Sequence, residues 1–347
     1  MLKVLFLTPW YPSDKDSMAG LFVQKHVEAV RAQGVDVRVI HAQTLCDTWR
    51  QWRALRREGW MPDVVQLNVI QKQGLLALWL KRRYGIPYVI IEHWTGYLPE
   101  NGTVKPTGLH TRFMQRVCRE AEVVMPVSEH LGKAMQTLGF RAIRWEKVNN
   151  VVDDFFYEST VVRTPAVPKR LLHISCVDEA HKNIKGILRA VKTLSATHPD
   201  LTLTIVGISV DHREVRAYAD ALNFPEGMVR WAGEITPREV AKTFDEADIF
   251  VLNSNYENAP VVIAESVVKG VPVVSTNVGG IPEMVDAQSG ILIAPNDDKQ
   301  LVEALTRMLE RYGDYKRPEI QKNGAQYSFA AVGAQLKAIY CNCVPAK

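Results

Sequence analysis

The chain has 347 residues, of which 47% are hydrophobic and 23% are charged, and its formal net charge is +4. That length favours two domains, each large enough for its own core, and the composition excludes a disordered, collagen-like or coiled-coil chain. No uninterrupted apolar run reaches the roughly 18 residues that a membrane span needs. The N-terminal apolar run lacks a small-residue cleavage site, so we expect a first buried strand there and no secretory signal.

The five cysteines are scattered and odd in number, which excludes a disulfide framework and favours a reducing cytoplasm. The charge is distributed unevenly, because residues 1–165 carry a net charge of +6 and the remainder of the chain carries −2. We therefore expect the two halves of the chain to meet different partners.

Short apolar, β-branched runs alternate with helical patterns in the first half, and this rhythm predicts parallel strands with helices on both faces. The segment Glu158–Lys169 contains two prolines and no apolar periodicity, so we predict a linker there. The predicted strands of the first half are Val4–Leu7, Val35–Ile40, Val64–Leu67, Tyr88–Ile91 and Val123–Val127, and its first helix is Phe22–Ala32.

The same rhythm restarts after the linker. The predicted strands of the second half are Leu171–Ser175, Leu201–Val206, Ile249–Leu252, Val271–Ser275 and Gly290–Ile293. Its predicted helices are Ile184–Leu194, Arg213–Ala221, Pro237–Glu246, Ile263–Lys269 and Asp298–Arg311. The pattern therefore predicts an α/β protein of two doubly wound domains, with ligands bound in a cleft at the carboxyl ends of both sheets.

One segment, Ser254–Glu265, follows a predicted strand, opens a helix and carries two glutamates, Glu257 and Glu265. A carboxylate in an apolar helix start is costly unless it is paired or hydrogen-bonded. Two such acceptors at a helix N-terminus suit the hydroxyls of a sugar and a ribose, and the N–H groups of the same turn suit a phosphate. The alternative is that Glu265 is a solvated carboxylate favoured by the helix dipole.

The next segment, Lys269–Glu283, is typical of a helix end, a strand and a glycine turn at Gly279-Gly280. The glutamate spacing, Gly270-Val271-Pro272 and the glycine pair together resemble the donor-binding signature of family 4 glycosyltransferases. The resemblance runs over most of the chain and implies the GT-B fold, in which two Rossmann-like domains face each other across a cleft. It implies an acceptor-binding domain at 1–160, a nucleotide-sugar-binding domain at 161–325, and a C-terminal helix within 326–347 that packs back on the first domain.

The resemblance also implies roles for single residues. His93 would lie near the reacting sugar, Glu257 would bind the hydroxyls of that sugar, and Lys182 would neutralise the leaving pyrophosphate. Glu265 would bind the ribose, and Glu234-Ile235 would line the base pocket. The catalytic residues expected on this basis are His93, Lys182 and Glu257, and the donor-binding residues are Gly20, Lys182, Lys185, Glu234, Ile235, Glu257, Asn258, Ala259, Val261, Glu265, Gly279 and Gly280.

One position departs from the family pattern. Where the family usually has an arginine that grips the diphosphate bidentately, this chain has Cys176, which cannot do so. Either Lys185 or His181 compensates, or the loop follows a different path. His93 also has an alternative interpretation, as an interior histidine without a catalytic role.

Two further patterns lie outside the signature. Asp14-Lys15-Asp16 has the shape of a D-x-D metal motif, but no apolar strand leads directly into it, so we expect a solvated turn and no metal. Basic and aromatic residues gather at Trp49–Trp60 and Lys81–Arg83, which is typical of solvated helix faces whose tryptophans pack inward. The alternative is a patch that rests on anionic lipid, whereas the charge is too small to favour nucleic acid.

The predicted function is that of a retaining, metal-independent glycosyltransferase without a cofactor. It would move a sugar from a UDP- or GDP-linked donor to a hydroxyl of a glycan or lipid-linked glycan, in polysaccharide or glycoconjugate biosynthesis. We expect it in the cytoplasm, with peripheral contact to the anionic inner face of the membrane. The alternatives are a phosphorylase or epimerase on the same fold, and a non-catalytic GT-B partner subunit.

Overall fold

The computed structural model describes residues 1–13, 19–158, 169–208 and 211–344. The chain forms two compact units, the first made of Met1–Val151 with Gln326–Lys347 and the second of Val152–Ala325. The first boundary therefore precedes the predicted one at residue 160, while the C-terminal segment joins the first unit from residue 326. The Asp14-Lys15-Asp16 motif and residues 159–168 of the predicted linker lie outside the described residues.

In the first unit, a parallel five-stranded sheet has the strand order β2-β1-β3-β4-β5. Its strands are β1 (Lys3–Thr8), β2 (Asp36–His41), β3 (Val64–Asn68), β4 (Tyr88–Glu92) and β5 (Val123–Pro126). The helices before residue 151 are α1 (Leu21–Ala32), α2 (Leu45–Arg57), α3 (Gly74–Tyr84), α4 (Leu109–Glu120) and α5 (Glu129–Thr137), with a 3-10 turn at Thr95–Tyr97. Every residue of β3 and β4 is buried, as is typical of a parallel sheet covered on both faces.

The second unit has a parallel six-stranded sheet with the strand order β11-β10-β9-β6-β7-β8. Its strands are β6 (Arg170–Ile174), β7 (Thr202–Val206), β8 (Val229–Gly233), β9 (Ile249–Leu252), β10 (Val273–Thr276) and β11 (Gly290–Ile293). Its helices are α6 (Glu179–Lys182), α7 (Ile184–Leu194), α8 (His212–Ala221), α9 (Pro237–Glu246), α10 (Val261–Lys269), α11 (Asp298–Glu310) and α12 (Arg317–Lys322). Single 3-10 turns lie at Asp154–Phe156, Ile281–Glu283 and Tyr312–Asp314, and a further one spans Asn323–Tyr327.

Strand β8 and helix α6 were not predicted from the sequence. Strand β8 lies at the edge of its sheet and none of its residues is buried, so it lacks the apolar run that reveals an inner strand. Helix α6 has only four residues, too few for a periodic pattern. The short helix carries Lys182, so its omission left the position of that residue open.

The last helix, α13 (Phe329–Cys343), packs against α1 in the first unit. The two helices approach closely at Gly333, where a Cβ atom would lie 2.4 Å from the carbonyl oxygen of Ala29. The buried Tyr340 hydroxyl donates to the Gln66 side chain, and Lys337 Nζ donates to the Gln33 carbonyl at 2.7 Å. The C-terminal segment is therefore an integral layer of the first unit.

Parallel strands place all their carboxyl ends along one edge of a sheet, where ligands usually bind in folds of this type. We call these edges the first carboxyl edge, in the first unit, and the second carboxyl edge, in the second unit. The predicted catalytic residues divide between them: His93 follows β4, Lys182 follows β6 and Glu257 follows β9.

Candidate active site

The second carboxyl edge holds a buried pair of opposite charges. Lys182 Nζ lies 2.5 Å from Glu257 Oε1, and Ser254 Oγ donates to the same oxygen at 2.8 Å. Although burial by itself would raise the pKa of the Glu257 carboxyl, the neighbouring Lys182 ammonium and His181 lower it to about 2. Glu257 is therefore ionised at neutral pH and acts only as a hydrogen-bond acceptor.

Two loops are joined so that this pair forms. Asn255 Nδ2 donates to the Ala180 carbonyl at 2.8 Å, and the Asn255 N–H donates to the His181 carbonyl at 2.8 Å. The His181 ring stacks on the Tyr256 ring at 4.2 Å, with its Nε2 atom 2.8 Å from the Tyr256 carbonyl oxygen. These contacts connect α6 to the loop after β9 and hold the Lys182 ammonium against the Glu257 carboxylate.

Gly279, the first residue of the glycine pair after β10, packs against the backbone of Glu257. Gly279 has φ +56°, and a Cβ atom there would lie 1.7 Å from the carbonyl oxygen of Glu257. No other residue fits, because the backbone of the turn packs directly on the Glu257 backbone. The turn that includes Gly280 therefore lies next to the charged pair.

Helix α10 begins beside this pair with an open N-terminus. Its N-cap is Pro260, whose side chain accepts no hydrogen bond, and its first turn contains no acidic residue. The first N–H groups of such a helix attract an anion. Glu265 is 8% exposed and lies one turn after Val261 on the same face. Asn258 and Ala259 belong to the loop that enters this helix, and Asn258 is buried.

Cys176 and Lys185 lie in the segment around Lys182, where the phosphate site is predicted. Cys176 is exposed in the loop after β6. The Lys185 ammonium forms an ion pair with Glu214 and lies 5.5 Å from the centre of the Tyr218 ring, so its charge is directed at α8. The Glu179 carboxylate accepts hydrogen bonds from the N–H groups of Ile184 and Lys185. These bonds satisfy N–H groups in the first turn of α7.

The predicted base-pocket residues lie further along the same edge. Glu234 is exposed and Ile235 is partly exposed, directly after β8. Strand β7 separates β8 from β6 in the sheet. This placement sets them apart from the Lys182–Glu257 pair along the second carboxyl edge.

The first carboxyl edge places His93 among uncharged groups. Its ring lies 4.3 Å from the Phe22 ring and 5.4 Å from the His26 ring, and the Asn150 side chain hydrogen-bonds it. Burial lowers the pKa of His93 well below its ordinary value and lowers that of His26 to about 4. Both imidazoles are therefore neutral at pH 7.

Gly20 begins α1 at the same edge. It has φ +68°, and a Cβ atom there would lie 2.4 Å from the carbonyl carbon of Trp10. A glycine is required because two backbone segments meet at this point. The nearby residues 14–18 lie outside the described residues.

Sequence reasoning did not assign a role to Glu92, the last residue of β4. This glutamate is fully buried, and its carboxylate accepts four hydrogen bonds, three from backbone N–H groups and one from the Tyr97 hydroxyl. Burial raises the pKa of its carboxyl to about 7 despite these bonds. The signal in the sequence is an acidic residue that ends an otherwise apolar run, Tyr88–Ile91.

A surface groove of about 590 Å³ lies on helices α2, α3 and α4, and we call it the tryptophan–arginine groove. Its apolar residues are Trp49, Leu75, Leu78, Trp79 and Phe113, and its basic residues are Arg82, Arg83 and Arg116. Trp52 and Trp60, from the same basic and aromatic stretch, are instead buried in the core. The expected inward packing therefore holds for Trp52 and Trp60, whereas Trp49 lines the surface groove.

Within the ranges that the structure describes, no three His, Cys, Asp or Glu side chains cluster so that they could hold a metal ion. Among the helices of those same ranges, none combines the length and the apolar character needed to cross a membrane.

Two family profiles match the two halves of the chain. The profile described as glycosyl transferases group 1 matches residues 166–327, and that described as glycosyl transferase 4-like domain matches residues 8–150. The chain belongs to the family 4 glycosyltransferases, as its donor-binding signature predicts.

The similar proteins of known name include a glycogen synthase and a glycosyltransferase of polysaccharide biosynthesis. The chain is 27% identical over 271 residues to a glycogen synthase of Mycobacterium tuberculosis, covering 73% of this chain and 61% of that protein. It is 25% identical over 217 residues to the amylovoran biosynthesis glycosyltransferase AmsK of Erwinia amylovora, covering 58% and 51%. The chain thus spans between half and two thirds of the length of these relatives.

Solved structures establish the fold. The crystal structure of HepE from Anabaena in complex with UDP-glucose superposes with a TM-score of 0.76 at 18% identity, covering 99% of this chain and 100% of that one. A sucrose-phosphate synthase from Thermosynechococcus elongatus gives a TM-score of 0.77 at 18% identity, covering 99% of each chain. The predicted GT-B fold is confirmed.

Proposed function

We propose that this protein is a retaining glycosyltransferase, which moves a sugar from a nucleotide-diphosphate donor to a hydroxyl of a glycan or lipid-linked glycan. The observation that carries the proposal is the buried Lys182–Glu257 pair, next to the open N-terminus of α10. This arrangement offers a cation and backbone N–H groups for a diphosphate, and an ionised acceptor for sugar hydroxyls. Family membership supports the same chemistry.

The donor would bind at the second carboxyl edge. Lys182 and the first N–H groups of α10 would stabilise the negative charge that develops on the leaving diphosphate. Glu257 would accept hydrogen bonds from the sugar hydroxyls, since its pKa of about 2 leaves it no proton to donate at neutral pH. Glu265 would bind the ribose, and Glu234 and Ile235 would contact the base of a UDP- or GDP-linked sugar.

Retention of configuration needs no carboxylate nucleophile in this proposal. The acceptor hydroxyl would attack on the face that the diphosphate leaves, and the leaving phosphate would take the proton of that hydroxyl. Catalysis is then mainly positioning and charge stabilisation, with no metal or other cofactor. His93, as a neutral imidazole, would hydrogen-bond the reacting sugar.

The names of the similar proteins favour a biosynthetic role. AmsK is named for amylovoran biosynthesis, and the HepE structure contains UDP-glucose. We extend to this chain only the chemical class, a nucleotide sugar as donor and a glycan as acceptor.

The test begins with a thermal-shift screen of purified protein against nucleoside diphosphates and nucleotide sugars, because a bound donor raises the melting temperature by mass action. The best donor is then incubated with glycan and lipid-linked acceptors, with and without a chelator, and NMR identifies the anomeric configuration of the product. We expect an acceptor-dependent product with retained configuration and an unchanged rate under chelation. Phosphate-dependent turnover would instead indicate a phosphorylase, donor conversion without acceptor an epimerase, and absence of donor binding a partner subunit.

We also propose that the tryptophan–arginine groove rests on the anionic face of the cytoplasmic membrane. Leu75 is 41% exposed on this surface, and the Trp49 and Trp79 rings pack edge to face at 5.0 Å. Arg82, Arg83 and Arg116 lie beside these apolar side chains, and the two kinds of residue together suit the acyl and phosphate parts of a phospholipid. Glu120 forms ion pairs with Arg82 and Arg116. One glutamate against three arginines leaves the groove with a net positive charge.

Sedimentation with vesicles tests this contact. We expect binding to vesicles of phosphatidylglycerol and phosphatidylcholine that weakens with salt, since exposed charges are screened beyond about 8 Å at physiological ionic strength. Arg82→Gln with Arg83→Gln should reduce binding. The control variant carries Lys133→Gln and Arg141→Gln, two cations of the same unit that line a different depression. Absence of binding at low salt, or an equal loss in the control, would refute the assignment.

A further inference from the structure

The Glu92 carboxylate joins two adjacent loops of the first carboxyl edge. One oxygen, Oε1, accepts the N–H groups of His93 and Trp94, both at 3.0 Å, in the loop after β4. The other oxygen, Oε2, accepts the N–H of Ile70 at 3.0 Å, in the loop after β3. The Tyr97 hydroxyl completes the set by donating to Oε2 at 3.0 Å. Each oxygen thus accepts two hydrogen bonds.

The loop after β3 is strained at the residue before the one that Glu92 holds. Val69 has φ +57°, which is a rare conformation for a β-branched residue. It is fully buried, and its N–H donates to the Ile91 carbonyl at 2.9 Å. Strain of this kind persists only where surrounding contacts over-determine the backbone, and it concentrates at functional sites.

We infer that Glu92 is a positioning residue that fixes the loops after β3 and β4 relative to each other, so that His93 meets the acceptor and sugar in one orientation. This inference rests on the proposed function, because it assigns a purpose to the position of His93. Glu92 is fully buried and its four donors are all from the protein, so it acts through the loops and not on substrate. The Oε1 bond to the His93 N–H fixes the backbone of His93, while Phe22 and Asn150 hold its ring.

The chemistry of the four donors requires a carboxylate. A glutamine has one acceptor oxygen and one donor NH2 group, and either orientation would turn that NH2 group toward two protein donors. An aspartate is shorter by one methylene and cannot reach both loops from the same backbone position. The packing around Tyr97 is fixed independently, because its ring lies 5.3 Å from Phe140 and 5.6 Å from Trp94 in edge-to-face contacts.

The test compares Glu92→Gln and Tyr97→Phe with the wild type at about pH 8, where Glu92 is ionised because the pKa of its carboxyl is about 7. For Glu92→Gln we expect kcat for transfer to fall by roughly ten- to a hundredfold and the acceptor KM to rise, because small misplacements at a reacting centre have effects of this size. The donor Kd should stay within about twofold, because the proposed diphosphate site lies at the second carboxyl edge. Tyr97→Phe keeps the ring and removes one donor, so it should shift kcat in the same direction by less.

The control is Glu122→Gln, a partly exposed glutamate of the same unit that pairs with Lys81. We expect wild-type kinetics from it. Equal kcat in wild type, Glu92→Gln and Tyr97→Phe would overturn the inference, and so would a loss of donor binding as large as the loss of transfer. Should Glu92→Gln fail to fold, Tyr97→Phe decides alone, since its packing is preserved. A failure of the proposed function is distinguishable, because the wild type itself would then transfer no sugar.

Discussion

The two carboxyl edges each contain a buried glutamate, and the protein treats the two in opposite ways. Glu92 is surrounded by neutral donors, and the pKa of its carboxyl is raised to about 7. Glu257 is equally withdrawn from water but touches the Lys182 ammonium, and the pKa of its carboxyl is lowered to about 2. Four hydrogen bonds from neutral groups therefore compensate burial less well than one opposite charge supported by His181 and Ser254.

This contrast matches our proposal that the second carboxyl edge binds the donor and that the first carboxyl edge binds the acceptor. The second carboxyl edge keeps a fixed pair of charges, as a diphosphate donor demands. The groups clustered around His93 at the first carboxyl edge carry little charge at pH 7, because His26 and His93 are uncharged and Glu92 is only partly ionised. An uncharged acceptor hydroxyl is the substrate group that such an edge suits.

Removing the cation from the second carboxyl edge should have the largest effect on the protein. Lys182→Met should reduce turnover about a hundredfold or more, equivalent to about 2.7 kcal/mol on the barrier. It should also lower the free energy of unfolding by about 3–5 kcal/mol, because the Glu257 carboxylate stays buried without its partner. Turnover assays and urea unfolding measure the two effects.

The double variant Lys182→Met with Glu257→Gln separates stability from catalysis. It removes both charges, so we expect it to regain most of the lost stability and to remain inactive. Full activity in the single variant would contradict the role of Lys182, and wild-type stability in it would contradict the buried pair.

The raised pKa of Glu92 should make the stability of the protein depend on pH. Its carboxyl pKa rises from 4.5 in the unfolded chain to about 7 in the folded protein, so the stabilising contribution is complete below pH 4.5 and is lost as the pH rises through 7. We expect the stability of the wild type relative to Glu92→Gln to fall by about 2–3 kcal/mol across this window. Urea unfolding of both proteins at several pH values measures the difference.

The stability of Glu92→Gln must be subtracted from that of the wild type, because other groups change the stability with pH in the opposite direction. His26 and His93 have lowered pKa values, so their contributions to stability grow as the pH rises toward 6.5, but they are present in both proteins and cancel. Tyr97 and Cys118, which also face Glu92, have raised pKa values and stay uncharged in this range. A difference that is flat or that grows with pH would contradict the assignment.

If the second carboxyl edge binds the donor, Glu265 should contribute to donor affinity. Glu265→Ala should weaken nucleotide-sugar binding by about 1–3 kcal/mol, the usual loss when a charged hydrogen-bond partner is removed. Glu303→Ala, an exposed glutamate on α11, should leave affinity unchanged. Calorimetry on folded protein measures both, and an unaltered dissociation constant in Glu265→Ala would remove its assigned role.

The smallest expected effect comes from adding a cation to the second edge. Cys176→Arg should tighten donor binding by about 1 kcal/mol, because an arginine there supplies the family's usual diphosphate contact. The thiol is exposed, so the free energy of unfolding should change by less than about 0.5 kcal/mol. Cys46→Arg, at an exposed cysteine of the first unit, is the matched control for donor affinity. A lower unfolding midpoint in Cys176→Arg would indicate that the loop after β6 cannot hold the guanidinium.

Much of the fold could be predicted because buried parallel strands have short, continuous apolar sequences. Strands β9 and β11 and helices α7 and α9 have the predicted bounds. Strand β8 was not predicted because it is a partly exposed edge strand. Helix α6 was not predicted because four residues are too few to show a helical pattern. The domain boundary at Val151 falls before the proline-rich segment, since Asp154–Phe156 already belongs to the second unit.

The chemical groups available to the site can be read from the sequence alone: a glutamate before a helix, a second glutamate one turn inside it, a glycine pair after the next strand and a lysine in the first loop of the second half. These are local patterns, and local patterns are what residue types and spacing encode. Which of these groups contact each other depends on the tertiary structure. Lys182 and Glu257 are separated by 75 positions, and Ile70 and Glu92 by 22. Their contacts, and with them the opposite pKa shifts of two buried glutamates, exist because parallel strands far apart in the chain end side by side.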